Sequence, residues 1–183
     1  MPTIEDFLKN IRQIVARDDR GHLAKLRRGL SDTTQEQAWP LVVPWCSRFE
    51  DETNRKVWCT VGGAAALLFA SNLGTEQYQS LGSVMREIAT GTDQQNGIKS
   101  YEAKFRRILN SPDTIDLCDL AVGIIYTAEK KSININCKTL FWDLLEWDDP
   151  DKREKIRVRW ARDFYRISES ETKEIVQTED TQK

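Results

Sequence analysis

Apolar residues recur at intervals of three and four along almost the whole chain, a period that suits helices and leaves little for strands. Ile4, Phe7, Leu8, Ile11, Ile14 and Val15 share one face of a first helix, and Thr3-Ile4-Glu5-Asp6 reads as its start. Leu23, Leu26 and Leu30 repeat the pattern in a second, and a short apolar element from Trp39 to Trp45 is interrupted by Pro40 and Pro44. Glu50, Asp51 and Glu52 then open a helix through Phe69, because negative charge complements the exposed amides of a helix start. Gly62 and Gly63 interrupt that helix; with no strand before them and no lysine after, they predict close approach of a neighbouring helix rather than a phosphate-cradling loop. Further helices are expected from Ser80 to Ala89, Lys99 to Asn110, Pro112 to Lys130, Asn136 to Trp147 and Pro150 to Ile167. Alternation, the signature of a strand, is confined to Ser132 to Asn136. The expected fold class is all-α, with about eight to nine helices.

The segment from Thr90 to Gly97 is polar, glycine-bounded and without periodicity, which makes it the expected division of the chain. Two small helical bundles packed together follow, an N-terminal one over residues 1–95 and a C-terminal one over 96–167. Residues 168–183 are Glu, Thr, Ser and Gln with almost no apolar members, so burial cannot offset the entropy of ordering them and a disordered acidic tail is expected. At 183 residues and 39% hydrophobic, the chain can build a core without a staple.

Several kinds of chemistry are excluded early. Cys46, Cys59, Cys118 and Cys137 form no CxxC pair, and His22 is the single histidine, so neither a zinc site nor any cofactor is expected. The longest apolar stretch, Val61 to Ala70, is far short of the ~20 residues that a membrane-spanning helix needs. With no basic-then-apolar leader, cytoplasmic residence with free thiols is the expectation.

Charge is more informative in its distribution than in its sum. Lys and Arg total 27 against 29 Asp and Glu, a formal net charge of -2, which argues against a generally basic nucleic-acid binder but leaves room for local patches. After Asp149-Pro150, a capping aspartate and a proline at the first helical position, Ile156, Trp160 and Phe164 share an inward face. Lys152, Lys155, Arg159, Arg162 and Arg166 fall in one narrow stripe on another face, with Asp163 among them and able to pair with Arg159 or Arg166. A second cluster lies on the helix whose apolar face is Tyr101, Phe105, Ile108 and Leu109: Arg107 stands opposite that face, Lys104 and Arg106 on its flanks, and Lys99 near the Arg106 flank. In the third, Lys25 and Arg28 project away from the leucine face, while the Arg27 stem packs beside it and its head pairs locally. The acids collect elsewhere, at Glu50 to Glu52, Glu146 to Asp151 and the tail, a segregation that can steer a polyanion to one side.

No motif for turnover accompanies these patches. Glu146, Asp148, Asp149 and Asp151 straddle a helix end and the next helix start, where capping accounts for acids better than a magnesium site does. There is no P-loop and no GxSxG, and nothing in the sequence orients His22 toward a nucleophile. The residues speak for binding rather than catalysis.

Four segments in order resemble one family: Leu26-Arg27-Arg28-Gly29; Ser80-Leu81-Gly82; Tyr101-Glu102-Ala103-Lys104-Phe105-Arg106-Arg107-Ile108-Leu109; and Leu144-Leu145-Glu146-Trp147 through Arg159-Trp160-Ala161-Arg162-Asp163-Phe164-Tyr165. Each is weak alone, but their order and separation resemble the CasB family, the small subunit of the type I-E CRISPR Cascade complex. That resemblance implies an all-helical two-part fold and a non-catalytic role in antiviral defence. It implies as partners a second copy of the chain, the backbone and large subunits of Cascade, guide RNA and target DNA, with no membrane. The small subunit would line the path of the heteroduplex and the displaced strand through basic surfaces, while guide pairing reads the sequence. The expected nucleic-acid contacts are Lys25, Arg28, Lys99, Lys104, Arg106, Arg107, Lys152, Lys155, Arg159 and Arg162. The alternative is a structural helical adaptor whose basic faces dock acidic protein partners.

Overall fold

A computed structural model describes residues 3–91 and 96–166. Among these residues nine α-helices follow one another: α1 (Ile4–Ala16), α2 (Arg20–Arg27), α3 (Trp39–Val42), α4 (Glu52–Ala70), α5 (Leu81–Thr90), α6 (Gly97–Leu109), α7 (Thr114–Lys130), α8 (Cys137–Leu145) and α9 (Pro150–Tyr165). Two 3-10 turns, Arg28–Leu30 and Gln35–Gln37, lead from α2 to α3. The fold is all-α, as expected. No strand occurs among the described residues, and the alternating stretch contributes only an isolated parallel bridge between Gly74 and Ile135. The expected tail, 168–183, lies outside the described residues, as do 92–95 of the polar segment before α6.

Short polar side chains set most of the helix starts. Thr3 and Asp6 form a reciprocal capping box on α1, and Asp51, Ser80, Asp113, Asn136 and Asp149 each accept hydrogen bonds from first-turn amides of α4, α5, α7, α8 and α9. These caps satisfy amides that the helix itself leaves unpaired.

The helix α4 is the hub, with α1, α2, α7 and α8 packed round it. It is buried almost continuously from Lys56 to Phe69 and runs unbroken through Gly62 and Gly63, so the expected interruption does not occur. The two glycines admit neighbours instead. A Cβ at Gly62 would stand 2.9 Å from the Phe7 ring, and one at Gly63 would stand 2.7 Å from Leu30 and 2.9 Å from the Leu26 carbonyl oxygen.

A second layer consists of α5 against α9 and α6. Its helices approach most closely at Gly82, where a Cβ would lie 2.1 Å from the Trp160 carbonyl oxygen, and at Gly97, where one would lie 2.1 Å from the Ala89 carbonyl oxygen, so only hydrogen fits at either. Aromatic pairs fill the space around that contact. Trp147 stacks on Trp160 at 5.3 Å between centroids, and Phe105 stacks on Phe164 at 4.0 Å. Ile156, Trp160 and Phe164 are all buried, as their spacing predicts, and the apolar side chains of both layers form one continuous core.

Candidate nucleic-acid interface

The cations on α9 divide into two kinds. Arg159 is only a third exposed; its guanidinium reaches Asp143 on α8, which also accepts a hydrogen bond from Trp160 Nε1 at 2.8 Å. Burial pushes the Asp143 carboxyl up, against the opposing pull of Arg159 and the Trp160 donor. Lys152 pairs with Glu146 at 3.0 Å, and Arg162 pairs with its neighbour Asp163 at 3.0 Å. The expected pairing of Asp163 with Arg159 or Arg166 is therefore corrected. Asp163 points toward α5 and accepts a 2.7 Å hydrogen bond from the Ser80 hydroxyl, while Arg159 turns the other way to Asp143. Lys155 is exposed and pairs with no other described residue, and the same holds for Arg166.

On α6, Arg106 is held by Glu102 at 2.7 Å, one helical turn away, and Tyr165 donates to the same carboxylate at 2.9 Å. Those hydrogen bonds hold the Glu102 carboxyl below its ordinary value. Lys104 lies over the Tyr101 ring, 5.1 Å from its centroid, with its head exposed. Lys99 and Arg107 are exposed and unpaired among the described residues. On α2, Lys25 is exposed in the same way, whereas Arg28, also exposed, hydrogen-bonds Gln37. Arg27 is half-buried as expected, but its head does not pair locally; it donates to the Ala66 carbonyl on α4 at 3.3 Å.

The acids at the α8–α9 junction have structural duties. Asp149 caps α9, Asp148 accepts from the Thr114 amide at 2.8 Å, and Glu146 holds Lys152. No group of three or more His, Cys, Asp or Glu able to hold a metal occurs among the described residues. His22 is oriented by Asp19, a partner that its sequence position did not disclose, but no thiol is available to it. All four cysteines are buried, and burial pushes Cys59, Cys118 and Cys137 up to about 12. Thiolate chemistry at neutral pH is disfavoured at such sites. A cavity of about 460 Å³ lies between α1 and the start of α8, lined by Lys9, Arg12 and Lys138 together with Glu5 and Glu76. Its charges largely answer one another, with Lys138 at 2.5 Å from Glu5.

Sequence reasoning missed the exposed aromatic side chains. Tyr78 is 59% exposed, in the segment between Gln77, whose carbonyl accepts from Asn136 at the start of α8, and the α5 cap Ser80, which donates to Asp163 on α9. Trp142 on α8 is 43% exposed. A signal was available: with Leu140, Phe141 and Leu144 turned inward, position 142 falls off the apolar face of the helix.

An all-helical chain with cations displayed on three helix faces is, by fold and surface, a helical-bundle protein with local basic patches. The sequence model of the CRISPR-associated protein Cse2 family matches residues 22–165, and the chain belongs to that family, whose members are CRISPR Cascade subunits. The match takes in α3 to α9 complete and most of α2. No curated protein and no solved structure matches the chain.

Proposed function

We propose that this chain is the non-catalytic small subunit of a type I-E Cascade, supporting guide RNA, target DNA and the displaced strand by charge rather than by base readout. The reading rests on family membership together with one observation: Lys25, Lys99, Arg107 and Lys155, on three different helices, are exposed and have no carboxylate partner among the described residues. Unneutralised cations on rigid helices are what phosphate contacts require, and such contacts carry no sequence information. Lys104 joins them, since a cation over a ring keeps its charge. Arg106, Lys152, Arg159 and Arg162 are paired and act first as structural ions, becoming available to phosphate only if their carboxylates give them up. The partners in this reading are the backbone and large subunits, a second copy of the chain, and the nucleic acids; the setting is the cytoplasm.

The test is a salt titration of the isolated protein against single-stranded DNA. Binding weakens as salt rises, and replacing Lys25, Arg107 or Lys155 by alanine flattens the slope by roughly 0.7 per lost contact. Wild-type slopes in all three variants would sink the reading. The competing reading is a structural helical adaptor in which these basic faces dock acidic proteins. That reading wins if the variants lose Cascade assembly while nucleic-acid affinity stays unchanged.

A further inference from the structure

Phe105 and Ile108 of α6 are buried, and Phe105 stacks on Phe164 of α9, so the other side of α6 faces outward. On that outward side Lys99 and Arg107 lie about 80° apart round the helix, with Lys104 about 60° beyond Arg107. All three are exposed, and none has a carboxylate partner among the described residues. The end of α9 is fastened to the same helix: Tyr165, its last residue, donates to Glu102 at 2.9 Å, and Glu102 stands one turn from Lys99. Arg166, which follows, is exposed and likewise without a partner. Past Ile167 the sequence carries Glu169, Glu171, Glu174, Glu179 and Asp180, five acids against the two cations Lys173 and Lys183, a formal charge of -3. The acidic stretch of the chain therefore sets out from beside its unanswered cations.

We propose that residues 168–183 dock on the outward side of α6, their carboxylates pairing with Lys99, Lys104 and Arg107, and so compete with a polyanion for those cations. The competition rests on the nucleic-acid reading above; the contact itself needs only this chain. Reach is not limiting. Along the axis of α6 the three cations lie within about 8 Å of Glu102, and the three to five residues from Arg166 to Glu169 and Glu171 span about 10 to 17 Å when extended. Lys155 is a poorer target, since it lies ten residues back, about 15 Å along α9. A tethered segment meets its site at an effective concentration in the millimolar range, so ion pairs too weak to hold a free peptide suffice. Exposed pairs are also screened by salt and exchange readily. The segment is thus a displaceable cover, which a polyanion with more charge can push aside.

The experiment uses the full-length chain in four forms: wild type; a tail variant with Glu169→Gln, Glu171→Gln, Glu174→Gln, Glu179→Gln and Asp180→Asn; a patch variant with Lys99→Ala, Lys104→Ala and Arg107→Ala; and the two combined. Without nucleic acid, a carbodiimide at low salt should link tail carboxylates of wild type to Lys99 or Lys104 within one molecule, and high salt should suppress the links. Equal yields at Lys25 or Lys155 would sink the docking site, and links found only between two molecules would overturn the contact as an intramolecular one. At low salt the tail variant should bind oligothymidylate about fivefold more tightly than wild type. Combining it with the patch variant should abolish that gain. A gain that survives the combination means that the tail merely repels the probe, and the proposal fails; equal affinity of tail variant and wild type removes the competition. If neither binds oligothymidylate while the links to α6 form, the nucleic-acid reading fails and the docking contact stands.

Discussion

The bundle round α4 and the layer of α5, α6 and α9 reach close packing by opposite means. Around α4 the helices are brought near by small residues, Gly62, Gly63 and the Ala64-Ala65-Ala66 run, against leucine and phenylalanine. In the α9 layer large rings stack on one another, and the charged partners of those rings are drawn inward with them. The difference extends to buried ions. Lys56 on α4 is buried between Asp32 and Asp119, the latter at 2.6 Å, but both acids remain half-exposed. Burial pulls the Lys56 ammonium down, and the two acids more than offset it, so the group ends above its ordinary value. Where α9 reaches α8 the acid, Asp143, is the buried member, and burial wins. An ion whose partners touch water can lose its pair cheaply; a buried carboxylate with two donors aimed at it cannot.

Variants can break this comparison. The largest effect is expected for Trp160→Ala, which empties a fully buried site and removes a donor from Asp143, costing about 4 kcal/mol in chemical denaturation. Removing the buried ions should separate the regions: Asp143→Ala costs about 3 kcal/mol because the Trp160 donor and the Arg159 head are left without an acceptor. Lys56→Ala costs about 1 kcal/mol, since Asp32 and Asp119 rehydrate. Equal costs would show that the two environments do not differ. Between the glycines, Gly82→Ala costs about 2 kcal/mol against about 1 kcal/mol for Gly62→Ala, because a backbone carbonyl cannot yield while the edge of the Phe7 ring can shift.

Proton linkage sharpens the same contrast. A carboxyl whose value is raised on folding binds its proton more tightly in the native state. Asp143 therefore favours folding most below its unfolded value of 3.8, and that contribution is lost as pH rises through the folded value. The stability of wild type relative to Asp143→Asn should decline over that window, measured by denaturation at successive pH values; a flat difference would remove burial as the cause. The smallest effect is expected for Lys25→Ala, Arg107→Ala and Lys155→Ala, each within about 0.5 kcal/mol of wild type in stability, because exposed cations without partners contribute almost nothing to folding.

Helices were legible because their signals are local. Asp51, Asp113 and Asp149 cap within three residues, and the 156, 160, 164 face is a matter of arithmetic along one element. Charge clusters were legible as lists but not as free charge, because the partners of Arg159 and Lys56 lie 16 or more residues away on other elements. Asp143 carries no local sign of its burial, because its donors Arg159 and Trp160 lie on α9. Tyr78 comes near α8 and α9 only once the segment before α5 is assembled between Asn136 and Asp163, and no spacing along the chain expresses that. The steric demand at Gly82 is likewise invisible locally, since its neighbour is Trp160.

That last contact has a consequence for how the chain is made. The seam between α5 and α9 joins residues about eighty positions apart, with Ser80 bonded to Asp163 and Arg86 to the Phe164 carbonyl. During synthesis the apolar side of α5, with Leu81, Val84, Met85 and Ile88, leaves the ribosome long before its cover exists. Helix α6, made directly after α5, can cover part of that side, but the seam meant for α9 stays open until the last helix arrives, a window in which a holding chaperone has something to hold.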